Sequence, residues 1–155
     1  MKAKQLREAI ISTLKKCNLP CSEDLLNLLV GTACVESNCG EYIKQINGPA
    51  CGIFQIEPNT AKDIQENYIK YKPELKYMHD LFYLKGLTLE ENLMYNLSYS
   101  ILMCRLFYRR IKEPIPKSIS GQAAYWKKYY NTNLGKGTIE KYLEKKEKYD
   151  VWFHL

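Results

Sequence analysis

Ser22-Glu23-Asp24-Leu25-Leu26-Asn27-Leu28-Leu29-Val30-Gly31-Thr32-Ala33-Cys34-Val35-Glu36-Ser37-Asn38-Cys39-Gly40 decides how this chain is read. Ser22 is a good helix N-cap, and Glu23 and Asp24 then fall in the positive first turn. Leu25, Leu26, Leu28, Leu29, Ala33 and Cys34 carry an apolar helical stripe, which Asn38 and Gly40 bring to a stop. Leu25, Leu29 and Glu36 lie four and then seven residues apart, near one helix face. The Glu36 carboxyl therefore sits against apolar neighbours in the last turn. Desolvation and the negative helix end both disfavour its charge, so it is expected to be protonated near neutral pH and able to donate that proton.

Outward from this helix the pattern stays mostly α. Leu6, Ile10, Ile11 and Leu14 predict a first amphipathic helix, ended by Asn18 and Pro20. Residues 41–56 differ: Asn47-Gly48-Pro49 reads as a turn, followed by Gly52-Ile53-Phe54-Gln55-Ile56, so a short hairpin-like excursion or ordered loop is expected. Pro58, Asn59 and Thr60 open a third helix through about Lys70, a loop with Pro73 follows, and then a short helix near Tyr77 to Leu84. Thr88 and Glu91 form a capping box for what reads as the longest helix, with Leu93, Leu97, Ile101, Cys104 and Tyr108 on one face and Pro114 and Pro116 ending it. A further helix runs from about Ser120 to Tyr130, residues 131–137 turn, and Thr138 caps a last helix to about Lys148.

The chain has 155 residues, of which 46% are hydrophobic, enough for one domain spanning 1–155 with a real core and too many for disorder. Its net charge of +6 favours an anionic partner without naming one. No secretory signal opens it and no apolar run would span a bilayer, so it is expected to be made in the cytoplasm and not to insert stably in a membrane. The six cysteines, Cys17, Cys21, Cys34, Cys39, Cys51 and Cys104, include no C-x-x-C pair, and the histidines are only His79 and His154. Buried thiols are expected rather than disulfides or a metal site. The lysines do not gather on a recognition helix, and a nucleic-acid partner is not expected.

Nineteen residues after Glu36 stands Gln55. The order Glu36-Ser37, Gly52 to Ile56, Pro58 and Thr60-Ala61 resembles the signature of the soluble lytic transglycosylases, and the string Trp126-Lys127-Lys128-Tyr129-Tyr130-Asn131-Thr132 followed by Gly135-Lys136-Gly137-Thr138 looks similar to phage-encoded members. Asn92-Leu93 with Tyr99 looks like the Asn-Ile…Tyr-Leu helix of that family, and Tyr130-Asn131 looks like the start of its Tyr-Asn-Ala-Gly turn. Thr132 and Asn133 replace the Ala-Gly, and Phe54 stands where methionine is commoner. The resemblance covers about residues 22–138. It implies a lysozyme-like α+β domain with a small hairpin or loop insertion after the catalytic helix. It further implies cleavage of the β-1,4 bond between N-acetylmuramic acid and N-acetylglucosamine, without metal or cofactor, to 1,6-anhydro-muramyl products. Glu36 would be the single acid/base, Ser37 would support it or the substrate, and Gln55, Phe54, Tyr99, Tyr130 and Asn131 would bind substrate or support the site. The implied partners are peptidoglycan glycan strands, met by a monomer in the periplasm or from a phage particle. A hydrolytic muramidase, like a goose-type lysozyme or endolysin, would need a second carboxylate to activate water. Glu41 ranks first for that role, ahead of Glu57 and Asp63. A glycan-binding virion component without catalysis is the remaining alternative.

Overall fold

The computed structural model describes residues 1–151. Eight α-helices make up most of it: α1 Ala3–Lys16, α2 Glu23–Ser37, α3 Pro58–Asn67, α4 Pro73–Phe82, α5 Leu89–Tyr95, α6 Leu97–Arg109, α7 Ile119–Tyr125 and α8 Ile139–Tyr149. A 3-10 turn, Ile69–Tyr71, joins α3 to α4, and a π-helical segment, Trp126–Asn131, continues α7.

Helices α2 and α6 are the interior members. In α2 every residue from Leu28 to Cys34 is buried, and in α6 the run Tyr99–Cys104 is buried. A helix that is apolar all round has to be enclosed, and α1, α7 and α8 pack around α2 while α1, α3, α4 and α5 pack against α6. The α2–α8 contact is close because Gly31 carries no side chain: the Tyr142 ring fills the space where a Cβ would stand. Thr32 donates to the Leu28 carbonyl and meets the Tyr108 hydroxyl at 2.8 Å, so the one hydroxyl of this stretch is satisfied inside the core. Asp150, just past α8, takes the Arg7 guanidinium of α1 at 2.6 Å and the Lys146 ammonium at 2.7 Å, all three buried. Charges that far from water persist only when paired, and this cluster pins the chain's two ends together.

The caps expected at Ser22, Thr88 and Thr138 are formed, and Thr88 with Glu91 makes the reciprocal capping box. Three elements differ from expectation. The long helix starting at Thr88 is two helices, broken at Asn96, whose backbone is extended. The Asn96 side chain caps α6 by accepting from the Tyr99 N–H and donates to the Phe82 carbonyl at 2.6 Å. Pro73 begins α4 as its first residue instead of lying in a loop, the position where a missing N–H costs nothing. The expected helix 120–130 changes to a π-helical winding at Trp126.

The excursion after α2 contains no strand. Two isolated antiparallel bridges, Lys44 with Cys51 and Cys51 with Ile56, are all the β-pairing among the described residues, so the chain is mostly α and the expected hairpin is an ordered loop. The reason is local: Gly48-Pro49 and Gly52 turn the chain before any extended run grows past a residue or two. All six cysteines are free thiols, five of them buried. No described helix is long and apolar enough to cross a membrane.

Candidate active site

Helix α2 ends by a sharp reversal. Asn38, Cys39 and Gly40 follow one another with φ of 52°, 58° and 84°, all in the left-handed region. Asparagine and glycine accept this readily, whereas cysteine does so only under constraint. The constraint is Ser37. Its hydroxyl is buried, donates to the Ile53 carbonyl at 2.6 Å and accepts from the Gly40 N–H at 2.9 Å. Ser37 is thus the rivet between the helix end and the Gly52–Ile56 turn, and it does not reach the cleft.

The turn itself is closed by Cys51, which exchanges both backbone hydrogen bonds with Ile56. Gly52 has φ +85° and lies against the Leu93 carbonyl, leaving no room for a side chain. Gln55, also left-handed at φ 51°, donates its backbone and side-chain N–H groups to the Gly52 carbonyl at 3.0 and 2.9 Å. This geometry carries Gln55 to the same cleft as Glu36. The cleft has a volume of about 240 Å³ and is lined by Glu36, Tyr42, Gln45, Ile46, Ala50 and Gln55. Ile46, 85% exposed, stands at the surface. The Tyr42 hydroxyl donates to the Glu36 carbonyl at 2.8 Å, supplying a partner for one of the orphan carbonyls at the helix end.

Behind Glu36 lies the π-helical segment. The Trp126 indole N–H donates to the Glu36 carboxylate at 3.1 Å, and the Tyr130 hydroxyl donates to the Phe54 carbonyl at 2.6 Å. Burial pushes the Glu36 carboxyl from an ordinary 4.5 up to about 7, with the indole N–H pulling in the opposite sense. Burial also drives the Tyr130 hydroxyl well above its ordinary value, so it stays a donor. Asn131 closes the segment: its side-chain oxygen accepts from Lys127 at 2.7 Å, and the same ammonium binds the Thr132 and Gly135 carbonyls. Thr132, where the resembled turn has alanine, adopts φ 66° and ψ 177°, a conformation that glycine takes most easily. Gly137 leaves space for the Trp126 ring, so the turn serves to seat the indole.

The remaining expected residues sit elsewhere. Phe54 is fully buried, and only its carbonyl meets the site, through Tyr130. Tyr99 does not line the cleft. Its buried hydroxyl lies 2.9 Å from Gln65 and 3.0 Å from His79, whose other ring nitrogen is 3.0 Å from Asp80. Glu41 is exposed, accepts from Asn38 at 3.2 Å and does not line the cleft. Asp63 is taken by Arg110 and Asn67, and Glu57 also lies outside the cleft lining. Tyr42, Gln45 and Trp126 also belong to the site, although no role was expected of them. For Trp126 the available signal was its place at the head of the string that looks similar to phage-encoded members, four residues before Tyr130. Among the described residues no group of three or more His, Cys, Asp or Glu side chains is arranged to hold a metal ion; His154 lies outside them.

The site chemistry can be tested through the indole. Replacing Trp126 with Phe removes a donor that stabilises the charged carboxylate, so the Glu36 proton should be held to higher pH. A hydrogen bond to a charged group is worth about 1.5 kcal/mol or more, equivalent to about one pH unit. The alkaline limb of the pH–activity profile of Trp126→Phe is expected to move upward by about that amount. An unmoved limb would mean that the indole does not set the acidity of Glu36.

No protein-family model, curated protein or solved structure matches the chain.

Proposed function

We propose that this chain cleaves the β-1,4 bond between N-acetylmuramic acid and N-acetylglucosamine in peptidoglycan, as a lytic transglycosylase with Glu36 as its single acid/base. The observation that carries the reading is a lone carboxyl with a value near 7, held in a cleft beside Gln55. At that value both protonation states are populated at neutral pH, as a group that must donate and then accept a proton requires. Protonated Glu36 hands its proton to the bridging oxygen as the bond to the muramyl C1 breaks. The resulting carboxylate then takes the proton of the muramyl 6-hydroxyl, which closes on C1 to give the 1,6-anhydro sugar. Hydrogen and charge balance, and no water is consumed. We further read the helical body as lysozyme-like, with the loop after α2 standing in place of a small sheet. The protein would work as a monomer on glycan strands at the cell wall, released from the cytoplasm or carried by a phage particle.

The transglycosylase form is favoured over the hydrolytic one by the cleft lining. Glu36 is its only carboxylate among the described residues, and an inverting hydrolase needs a second one about 6.5–9.5 Å away. Mass spectrometry of digested sacculi separates the two. Anhydro-muramyl ends, lighter by one water, are expected from the wild type. Reducing ends would move the assignment to a muramidase, and an undigested wall would leave a glycan-binding virion component.

A further inference from the structure

A groove of about 790 Å³, larger than the Glu36 cleft, lies between the turn after α1 and the start of α4. Pro20 of this groove lies two residues before the cap of α2, whereas Glu36 lies at that helix's far end. The fifteen residues of α2 separate the two sites by roughly 20 Å.

Three observations describe what the groove would hold. Its size is that of a small-ligand site, within the usual range of about 300–1,000 Å³. Its floor includes Leu19 and Leu75, both buried, while the rings of Tyr71 and Tyr77 are 69% and 64% exposed and carry no packing duty. Exposed aromatic faces beside a concave surface suit the C–H faces of sugar rings. Its charge is positive: Lys72 and Arg109 line it against a single carboxylate, Glu74. Lys72 lies over the Tyr68 ring at 4.8 Å and Arg109 reaches the Tyr68 hydroxyl at 3.4 Å. Neither meets a carboxylate among the described residues. Next to Arg109 stands Arg105, whose Nε is buried without a hydrogen-bond partner and whose guanidinium is rendered less basic by burial and by Arg109. Arg105 stands behind the groove wall and is not part of its lining, so it adds positive potential beside Arg109 without contacting the groove.

We propose that this groove is a second saccharide site, which grips an anionic stretch of the wall polymer while the Glu36 cleft cuts another. This rests on the reading of the substrate given above. The anion is a carboxylate or phosphate borne on or beside a sugar. A lipid surface takes up the apolar face of an amphipathic helix lying flat upon it, which a concave groove does not present.

The test uses the full chain carrying Glu36→Gln, so that bound wall is not consumed. Retention on purified sacculi and amide shift mapping with soluble glycan fragments are compared with and without the pair Tyr71→Ala and Tyr77→Ala, and separately with Arg109→Gln. Each set is expected to weaken retention about tenfold, as loss of an aromatic or arginine anchor does. Amide shifts are expected at Asn18, Lys72 and Met78 as well as around Gln55. All three substitutions lie on exposed or rim positions, and an unchanged near-ultraviolet dichroism spectrum confirms the fold. Sacculi stripped of attached phosphate polymers, against sacculi stripped of stem peptides, identify which anion is held. Unchanged retention with shifts confined to the Gln55 side would overturn the second site while leaving the cleavage proposal intact. Binding to anionic phospholipid vesicles but not to sacculi would overturn it in favour of a membrane surface. Retention lost in the groove variants, with no cleavage by the wild type, would uphold the second site and sink the enzyme.

Discussion

Glu36→Gln is expected to lose wall-clearing activity by about 10²- to 10⁴-fold, the usual contribution of a positioned general acid, and yet to melt at a higher temperature than the wild type at pH 8. The second half follows from the raised pKa. In the unfolded chain the carboxyl releases its proton near 4.5, and in the folded chain near 7. Between those values the folded protein binds a proton that the unfolded one has lost, so stability falls as pH rises through that window. Above about pH 7 the fold carries the full cost of a charged group in a half-dry site, up to about 3 kcal/mol before screening at the cleft mouth reduces it. Glutamine has the same shape and its oxygen still accepts from Trp126, but it never charges. The variant is therefore expected to match the wild type near pH 4.5 and to exceed it at pH 8 by about 2–4 °C for each kcal/mol recovered. Melting curves at the two pH values, paired with turbidity clearing, make the check. Equal clearing removes Glu36 from the chemistry. A melting difference that does not change with pH removes its raised pKa, and with it the acid.

The divergence of the two effects is what separates a catalytic group from a structural one. A residue kept for stability would lose both when replaced. One kept for chemistry in an unfavourable place loses the first and gains the second.

What could be read from the chain and what could not divide along a physical line. Helix caps depend on three or four neighbouring residues, so Ser22, Thr88 with Glu91, and Thr138 were readable, as was the arrest of α2 at Asn38. Glu36 and Gln55 were readable because each is delivered by local geometry, the one by a helix end and the other by a glycine turn. The break at Asn96 was hidden because the apolar register Leu93, Leu97, Ile101 runs through it unbroken, while its cause, the Phe82 carbonyl, comes from another helix. The same holds for Tyr99, whose burial was foreseeable but whose partners, Gln65 and His79, come from α3 and α4. The π-helical winding at Trp126 has no pattern of its own. It inserts an extra residue in a turn, and π-bulges of this kind gather at functional sites. Here it aims the indole at the carboxylate and the Tyr130 hydroxyl at the Phe54 carbonyl. Ser37 and Phe54 stand in the expected places and act through buried backbone contacts, holding the turn that holds Gln55.

Because that turn is held from so many sides, Gly52→Ala is expected to be the most damaging single-methyl change near the site. Two costs act together. At φ +85° an alanine is strained in any surroundings, by about 1 kcal/mol. Its Cβ would also fall on the Leu93 carbonyl, a backbone atom at the end of α5 that also accepts from Ser100 and has nowhere to move. Overpacking against an immobile neighbour adds about 1–3 kcal/mol, giving a total of about 2–4 kcal/mol and a melting temperature lower by about 2–4 °C for each. The functional loss should exceed the stability loss. The Gly52 carbonyl receives both N–H groups of Gln55, and the Gly52 N–H reaches the Ile43 carbonyl at 2.7 Å. A turn pushed away from Leu93 therefore carries Gln55 off the cleft, and cleavage should fall even well below the melting temperature. Gly86→Ala is the matched control. A Cβ there meets nothing within 4 Å, so the variant should stay within about 0.5 kcal/mol of the wild type and keep full activity. If the two variants melt and clear walls alike, the close approach of Gly52 to α5 is not what positions the glutamine, and the geometry of the cleft must be rebuilt without it.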